Sequence, residues 1–152
     1  MQATSESGGG LSPIVKTVAR WMAGFILVFG LSVVLYGHLT PGGGFAGGVV
    51  LSAAFILVVL SHGRREVLQI LSERAPTIYD GLAALAFLLL AVLGYAAGGF
   101  FLNFLPKGQP FQLWSGGIIP LCNLAIGVKV GACLFGVFAA LAVFRHLHQR
   151  SA

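Results

Sequence analysis

Long apolar runs separated by short polar segments dominate the chain. The stretch between Trp21 and Gly63 carries no charged residue, and neither does the stretch between Gly81 and Pro106. Because a bilayer core requires about 20 apolar residues per helix, the first stretch has room for two spans and the second for one. A further apolar run covers residues 117–144. The pattern predicts an all-α membrane protein with four transmembrane helices.

Local signals indicate where these helices begin. Ser12 followed by Pro13 is typical of a helix N-cap and first helical position, and Thr77 with Asp80 forms a variant of the capping box. The second span is expected to start inside a glycine-rich motif at residues 37–48. The expected spans are 13 to about 36, the motif to about 62, 77 to about 99, and about 117 to 144.

The segments outside the spans complete the predicted domain organisation. Residues 1–12 are polar and glycine-rich, without the basic start and small-residue cleavage site of a secretory signal, and are expected to be a disordered polar tail. Residues 13–146 are expected to form one four-helix membrane domain, and residues 147–152 a cytoplasmic tail.

Composition and charge agree with a multi-pass protein of the cell membrane. The chain is 57% hydrophobic and 9% charged, whereas a soluble domain has roughly a quarter charged residues. Its net charge of +5 does not indicate a nucleic-acid partner, because most basic residues flank the spans. If the chain crosses the membrane four times, seven basic residues lie on one side and Lys107 alone lies on the other. The positive-inside rule then predicts that both termini are cytoplasmic. The basic residues at the cytoplasmic end are Lys16, Arg20, Arg64, Arg65, Arg74, Arg145 and Arg150.

The segment between the third and fourth spans alternates aromatic and turn residues. Such a segment is expected to rest at the headgroup level, where aromatic rings anchor a chain. The expected anchors are Phe100, Phe101, Phe104, Phe111 and Trp114.

The two cysteines carry no sign of a disulfide or a metal site. Cys122 and Cys133 lie about 16 Å apart along a helix, too far for a bridge. Neither belongs to a cluster of closely spaced Cys and His residues, so neither a metal nor a cofactor is expected. Both are interpreted as small packing residues.

The motif GHLTPGGGFAGG at residues 37–48 interrupts the first long apolar run. Gly37 is expected to end the first helix in a left-handed conformation, and Pro41, which has no backbone N–H, to enforce a turn. The glycines that follow allow a positive φ or a close approach to a neighbouring backbone, and Phe45 is the large side chain that projects from the motif. The positions assigned to tight packing are Gly42, Gly43, Gly44, Gly47 and Gly48.

Pairs of glycines four residues apart offer flat helix faces. Gly43 with Gly47, Gly44 with Gly48, Gly94 with Gly98 and Gly127 with Gly131 form such pairs. Together they favour a chain surrounded by other subunits, although packing within the chain is an open alternative for each pair.

The candidates for ion translocation or coupling are His38, Asp80, Asn123 and Lys129. His38 lies at a membrane edge, where a histidine relays protons or caps carbonyls at a helix end. Lys129 is placed near the middle of the fourth span, where a charge costs about 2.5 to 3.5 kcal/mol on insertion scales and requires a partner or water. Asp80 is expected half a membrane away, so a carboxylate of another subunit is the expected partner. Lys129 thus either supports ion coupling or binds carbonyls for a structural purpose.

The chain resembles the MnhB/MrpB family over nearly its whole length after the tail. The resemblance rests on Ser12 to Val15, on GHLTPGGGFAGG, on Asn103 to Pro106 and on the segment from Ile119 through Asn123 to Gly131. It implies a small four-helix subunit of a multisubunit Na⁺/H⁺ antiporter that is not an enzyme by itself, and it implies that Pro41 and Phe45 matter for antiport.

One segment departs from the standard antiporter subunits. Asn123 to Lys129 stands where the family implies an acidic residue followed by Gly-Val-Tyr. The alternatives are therefore an antiporter-like subunit of an ion-pumping respiratory complex, such as a membrane-bound hydrogenase, or a purely structural assembly subunit. The scarcity of polar residues disfavours a channel acting alone. The expected partners are other membrane subunits and the bilayer, with Na⁺ and H⁺ as the ions moved by the complex.

Overall fold

Helices form the secondary structure of the residues that the structure describes. A computed structural model describes residues 12–62, 74–106, 108, 109, 112 and 115–151. The elements are α1 (Pro13–Leu35), α2 (Gly43–His62), α3 (Ala75–Leu93) with a following 3₁₀ helix (Gly94–Ala97), and α4 (Ile119–Ser151). All four α-helices are long and apolar enough to cross a membrane, which confirms the predicted all-α class and its four spans.

The first two helices begin and end close to their predicted limits. Proline occupies the first helical position of α1, as predicted, although the Ser12 side chain makes no capping hydrogen bond. The carbonyl of Ser12 instead accepts a 3.1 Å hydrogen bond from the Lys16 amide. Helix α2 begins inside the glycine-rich motif and ends at His62, as predicted.

The capping box predicted for the third span is wrong. Helix α3 begins two residues earlier, at Ala75, with Pro76 in its first turn and Arg74 at the N-cap. The Ile78 amide donates to the Arg74 carbonyl at 3.1 Å, so Thr77 already lies inside the helix. A proline in the first turn favours this start because its missing N–H has no intrahelical partner there.

Helix α4 lies at the centre of the packing. It contacts α2 along one side, α3 along another and α1 over a shorter stretch, while α1 and α2 form the remaining large contact. Among the described α-helices, α3 packs against α4 alone. Helix α4 also runs beyond its predicted end, so residues 147–151, predicted to be a tail, continue the helix.

The α1–α2 turn and the described residues between 98 and 118 lie at one end of the helices, here called the loop end. His38 Nε2 lies 3.3 Å from the Gln112 carbonyl oxygen and joins the two. Phe100, Phe101 and Phe104 are exposed there, as expected of headgroup anchors. Phe111 and Trp114, together with Lys107 and the predicted tail at residues 1–11, fall outside the described residues.

Candidate functional site: an ion pair within the membrane-spanning helices

An ion pair joins α3 and α4. Lys129 Nζ donates a 2.7 Å hydrogen bond to Asp80 Oδ1. Lys129 was expected to pair with a carboxylate of another subunit. That expectation is wrong, because the carboxylate that it binds is Asp80 of the same chain. A charge-assisted bond of this length is at the short end of the usual range.

The register of the two helices explains how Asp80 reaches Lys129. A Cβ added to Gly136 would lie 3.4 Å from Pro76 Cβ, so the first turn of α3 packs beside that part of α4. Asp80 is one turn further along α3, and Lys129 is about two turns from Gly136 towards the start of α4. The long lysine side chain closes the remaining offset. The expected separation of half a membrane is therefore wrong, because the register of the helices and this reach bring the two groups together.

The ion pair lies at membrane depth on α4. The span assigned to α4 is Ile119–Ala142, so Lys129 is about 15 Å from one limit and about 20 Å from the other. Asp80 lies five residues after the start of the Ala75–Ala97 span. Lys129 thus lies in the interior of its span, and Asp80 lies about 7.5 Å along the helix from the start of its own.

Both charged side chains remain open on the surface of the chain. The Lys129 side chain is 47% exposed and that of Asp80 is 37% exposed. An ammonium group has three N–H donors, and in the described part of the chain Asp80 Oδ1 is the acceptor recorded for it. The pair is thus charge-neutral, but its hydrogen-bonding capacity is only partly used.

The glycine-rich motif builds a tight turn at the loop end. Positive φ angles occur at Gly42 (147°) and Gly43 (83°). Gly37 is not among the positive-φ glycines, so the predicted left-handed end of α1 is wrong. A Cβ at Gly37 would instead collide with the Gly43 backbone, because the turn folds that closely on itself.

The glycine pairs of α2 and α4 pack against each other within the chain. A Cβ at Gly44 would collide with the Asn123 carbonyl oxygen, and one at Gly48 would lie 2.7 Å from the Gly127 oxygen. Gly47 faces α1, where the Val34 side chain occupies the adjoining space. For these glycines the alternative of packing within the chain is the one observed.

Gly94 and Gly98 do not pack against another helix in the described structure. A Cβ at Gly94 would meet the Leu102 amide at 2.6 Å, a contact within the same connection, while one at Gly98 would meet nothing within 4 Å.

His38 and Asn123 lie at the loop end and not beside the ion pair. Tyr36 at the end of α1 receives its hydrogen bonds from Leu39 and Thr40, so His38 does not cap that carbonyl. The His38 Nδ1 atom is buried without a hydrogen-bond partner among the described residues. Asn123 packs against the glycine-rich turn. The candidate coupling residues therefore fall into two groups, at the loop end and at the ion pair.

Asn103 holds the loop end together and was not predicted as a site residue. Its Oδ1 accepts hydrogen bonds of 3.2 Å from the amides of Leu105 and Ile118, which ties the connection to the start of α4. Gly117, with φ of 62°, leaves space that the Asn103 side chain fills. An asparagine three residues before Pro106 is a turn signal that could have indicated this role.

In the described part of the chain, four helices long and apolar enough to span a membrane, two of them joined by an ion pair, indicate a multi-pass membrane protein. The family model for the domain related to the MnhB subunit of Na⁺/H⁺ antiporter matches residues 14–136. The chain belongs to the MnhB family.

The relatives that match this chain in sequence are each covered by the match only in part. It is 38% identical over 138 residues to an uncharacterized protein of Methanocaldococcus jannaschii, which covers 86% of this chain and 52% of the relative. It is 43% identical over 56 residues to antiporter subunit mnhB2 of Staphylococcus aureus, 37% of this chain and 40% of that protein. The chain thus spans about half the length of the curated relatives it matches.

A solved structure matches almost the entire fold. A chain of the membrane-bound sulfane sulfur reductase, an archaeal respiratory membrane complex, superposes with a TM-score of 0.71 at 33% sequence identity. The match covers 90% of this chain and 59% of that chain. The structural relative is thus a chain of a respiratory membrane complex, and the Staphylococcus aureus relative bears the name of an antiporter subunit.

Proposed function

We propose that the chain is a non-catalytic membrane subunit of a multisubunit Na⁺/H⁺ antiporter. The family match and the similarity to an antiporter subunit support the assignment. The observation that carries it is the Asp80–Lys129 ion pair. Ionisable residues inside membrane spans are costly and are typical of ion pathways and proton relays.

The chain acts as part of an assembly in this proposal, because its polar groups do not make a conduit. No hydrogen bond among the described residues links the ion pair to His38 or Asn123. A route across the membrane therefore requires polar groups from neighbouring subunits.

The ion pair gives the chain a physical means of influencing such a route. A proton or cation arriving at a neighbouring carboxylate changes the field at Lys129 and Asp80, and their interaction in turn alters the proton affinity of that neighbour. The coupling is reciprocal, so the chain modulates transport without carrying the ion through its own core.

A respiratory complex that carries the same membrane module is the second candidate. The match to the sulfane sulfur reductase chain covers nine-tenths of this chain, a larger share than the antiporter subunit matches. The replacement of the expected acidic segment by Asn123 to Lys129 favours this candidate as well. A purely structural assembly role is the third reading of the same fold.

Reconstitution into liposomes tests the proposal. The native complex, extracted gently from its membrane, is expected to exchange Na⁺ for H⁺ across liposomes that contain a pH-sensitive dye, while the isolated chain is expected to transport neither ion. Transport by the isolated chain would refute the subunit assignment. Transport unchanged by Lys129→Ala in a fully assembled complex would leave the structural reading in its place.

Subunit composition separates the antiporter from the respiratory candidate. Mass spectrometry of the same purified complex is expected to identify antiporter-type membrane subunits alone if the first candidate holds. Co-purifying redox subunits, together with Na⁺ or H⁺ movement that requires an electron donor, would instead establish the respiratory candidate.

A further inference from the structure

The exposed ion pair requires a polar environment that the hydrocarbon core of a bilayer does not supply. Hydrocarbon chains offer neither hydrogen-bond acceptors nor a favourable environment for charge. Yet Lys129 and Asp80 are about half and a third exposed on the isolated chain. Since α3 contacts α4 alone among the other described α-helices, nothing else in the described chain covers the outer side of the pair.

Small residues adjoin the pair on α3. Thr77 and Ala84 are one turn before and after Asp80, and the exposed Gly81 follows it directly. On a helical wheel these three fall on one side of Asp80, while Pro76 and Ala83 fall on the side that packs on α4. A Cβ at Gly81 would meet no atom within 4 Å, so the surface there is open.

These observations together point to close protein packing. Small residues allow the backbone of a second helix to approach, and a nearby helix can then present an oxygen to the remaining donors of Lys129. The pair is charge-neutral, so the approaching helix needs an acceptor but no net charge of its own.

We propose that the α3 surface formed by Thr77, Gly81 and Ala84, together with the Asp80–Lys129 pair, docks a transmembrane helix of a different subunit. That helix packs at Gly81 and offers a hydroxyl, amide or backbone carbonyl oxygen to Lys129 Nζ. The inference rests on the proposed function, because it assumes that the chain works in a multisubunit membrane complex. It adds the surface and the chemistry by which one partner is recognised.

A matched pair of glycine substitutions tests the surface. Gly81→Leu fills the proposed docking surface, whereas Gly24→Leu adds the same side chain to α1 at another exposed glycine with no atom within 4 Å. Both variants are expected to fold, since a Cβ at either position meets no atom within 4 Å and both positions are exposed. Gly81→Leu is expected to reduce the co-purifying partner subunits about tenfold, and Gly24→Leu to leave them unchanged.

Photo-crosslinking gives a readout that does not depend on transport. A benzophenone amino acid at Leu85, exposed one turn beyond Gly81, is expected to form an adduct with a different membrane subunit in intact membranes. The same group at Phe29, exposed on α1, is the position control. Adducts at Leu85 with lipid alone, or with a second copy of this chain, would overturn the docking surface.

The outcomes separate this inference from the proposed function. If the native chain purifies without any other subunit, both fail. If it purifies in a complex but Gly81→Leu assembles normally, or if both leucine variants lose their partners equally, the docking surface alone is refuted.

Discussion

The hydrogen bond between Lys129 and Asp80 couples the free-energy costs of keeping each of these residues inside a span. A charged residue at the centre of a span costs about 2.5 to 3.5 kcal/mol on insertion scales, and the hydrogen bond between the two offsets part of that cost. If one partner is removed, the other stays charged or becomes neutral without its bond. Removing both avoids this penalty but also removes any coupling to a neighbouring subunit.

The first prediction distinguishes the contribution of the Asp80–Lys129 interaction to stability from the contributions of the two residues taken singly. Lys129→Ala and Asp80→Ala are each expected to lower the stability of the chain by about 1 to 3 kcal/mol, because a polar group loses its partner. The double variant is expected to be less destabilised than the sum of the two. Thermal unfolding of the detergent-solubilised chain measures these differences, with Val28→Ala on the exposed surface of α1 as the control.

The second prediction concerns transport by the same residues. Lys129→Ala is expected to weaken ion-coupled transport per assembled complex, even where the lost contact to the neighbouring helix lowers the yield of that complex. Lys129→Arg is expected to restore part of both, because arginine keeps the charge and a donor for Asp80. Liposome transport assays across the pH range provide the measurement. Full transport by assembled Lys129→Ala complexes would show that the pair is structural.

The contacts between helices depend on glycines, whose lack of a side chain lets two backbones approach closely. Gly44 and Gly48 of α2 face the Asn123 and Gly127 carbonyls of α4, and Gly47 faces Val34 of α1. A Cβ at these positions would enter space occupied by backbone, which cannot move as a flexible side chain does. The glycine-rich motif thus sets the distances of α2 from both neighbours.

The third prediction follows from these distances. Gly44→Ala and Gly48→Ala are each expected to destabilise the chain by about 1 to 3 kcal/mol through overpacking. Gly24→Ala is the matched control, since a Cβ there meets nothing within 4 Å, and it is expected to stabilise by up to about 1 kcal/mol through helix propensity. Equal unfolding temperatures for all three variants would contradict the packing argument.

Gly43 tests a different physical cause in the same turn. A Cβ there would lie 3.7 Å from Asn123 Oδ1, which is ordinary contact, but the residue has φ of 83°. Gly43→Ala is therefore expected to cost about 1 to 2 kcal/mol through backbone strain and not through collision. Gly43→Asn is expected to recover part of the loss, because asparagine tolerates the left-handed region; unfolding that is equal for the two variants would exclude strain as the cause.

The elements were more predictable from sequence than their contacts. The limits of α1 and α2 follow from the apolar runs and from Pro13, which are local properties of the chain. The start of α3 differs from the predicted one because Pro76 favours an earlier first turn than the capping pattern of Thr77 and Asp80. The bond from Lys129 to Asp80 could not be predicted, because it depends on the register between two helices that are far apart in sequence.

At the scale of the whole molecule, the loop end and the end that holds the starts of α1 and α3 are opposite ends of the helices. The α1–α2 turn meets the segment at residues 98–118 through His38 and Gln112. The starts of α1 and α3 lie at the other end, because α1 runs towards that turn and α3 towards that segment. Lys16, Arg20 and Arg74 lie near the starts of α1 and α3 at this second end. The positive-inside rule therefore predicts that this end is cytoplasmic.

The last prediction is the orientation of the chain in the cell membrane. In a background where Cys122 and Cys133 are replaced by serine, Ser12→Cys reports the end that holds the start of α1, and Gln109→Cys reports the loop end; both positions are exposed. A membrane-impermeant maleimide added to intact cells is expected to label Gln109→Cys alone, because the loop end faces outwards when the basic end is cytoplasmic. Inside-out vesicles are expected to give the reverse, with Ser12→Cys labelled and Gln109→Cys protected. The opposite pattern would show that the orientation is inverted, and labelling of both positions from one side would contradict the number of crossings between them.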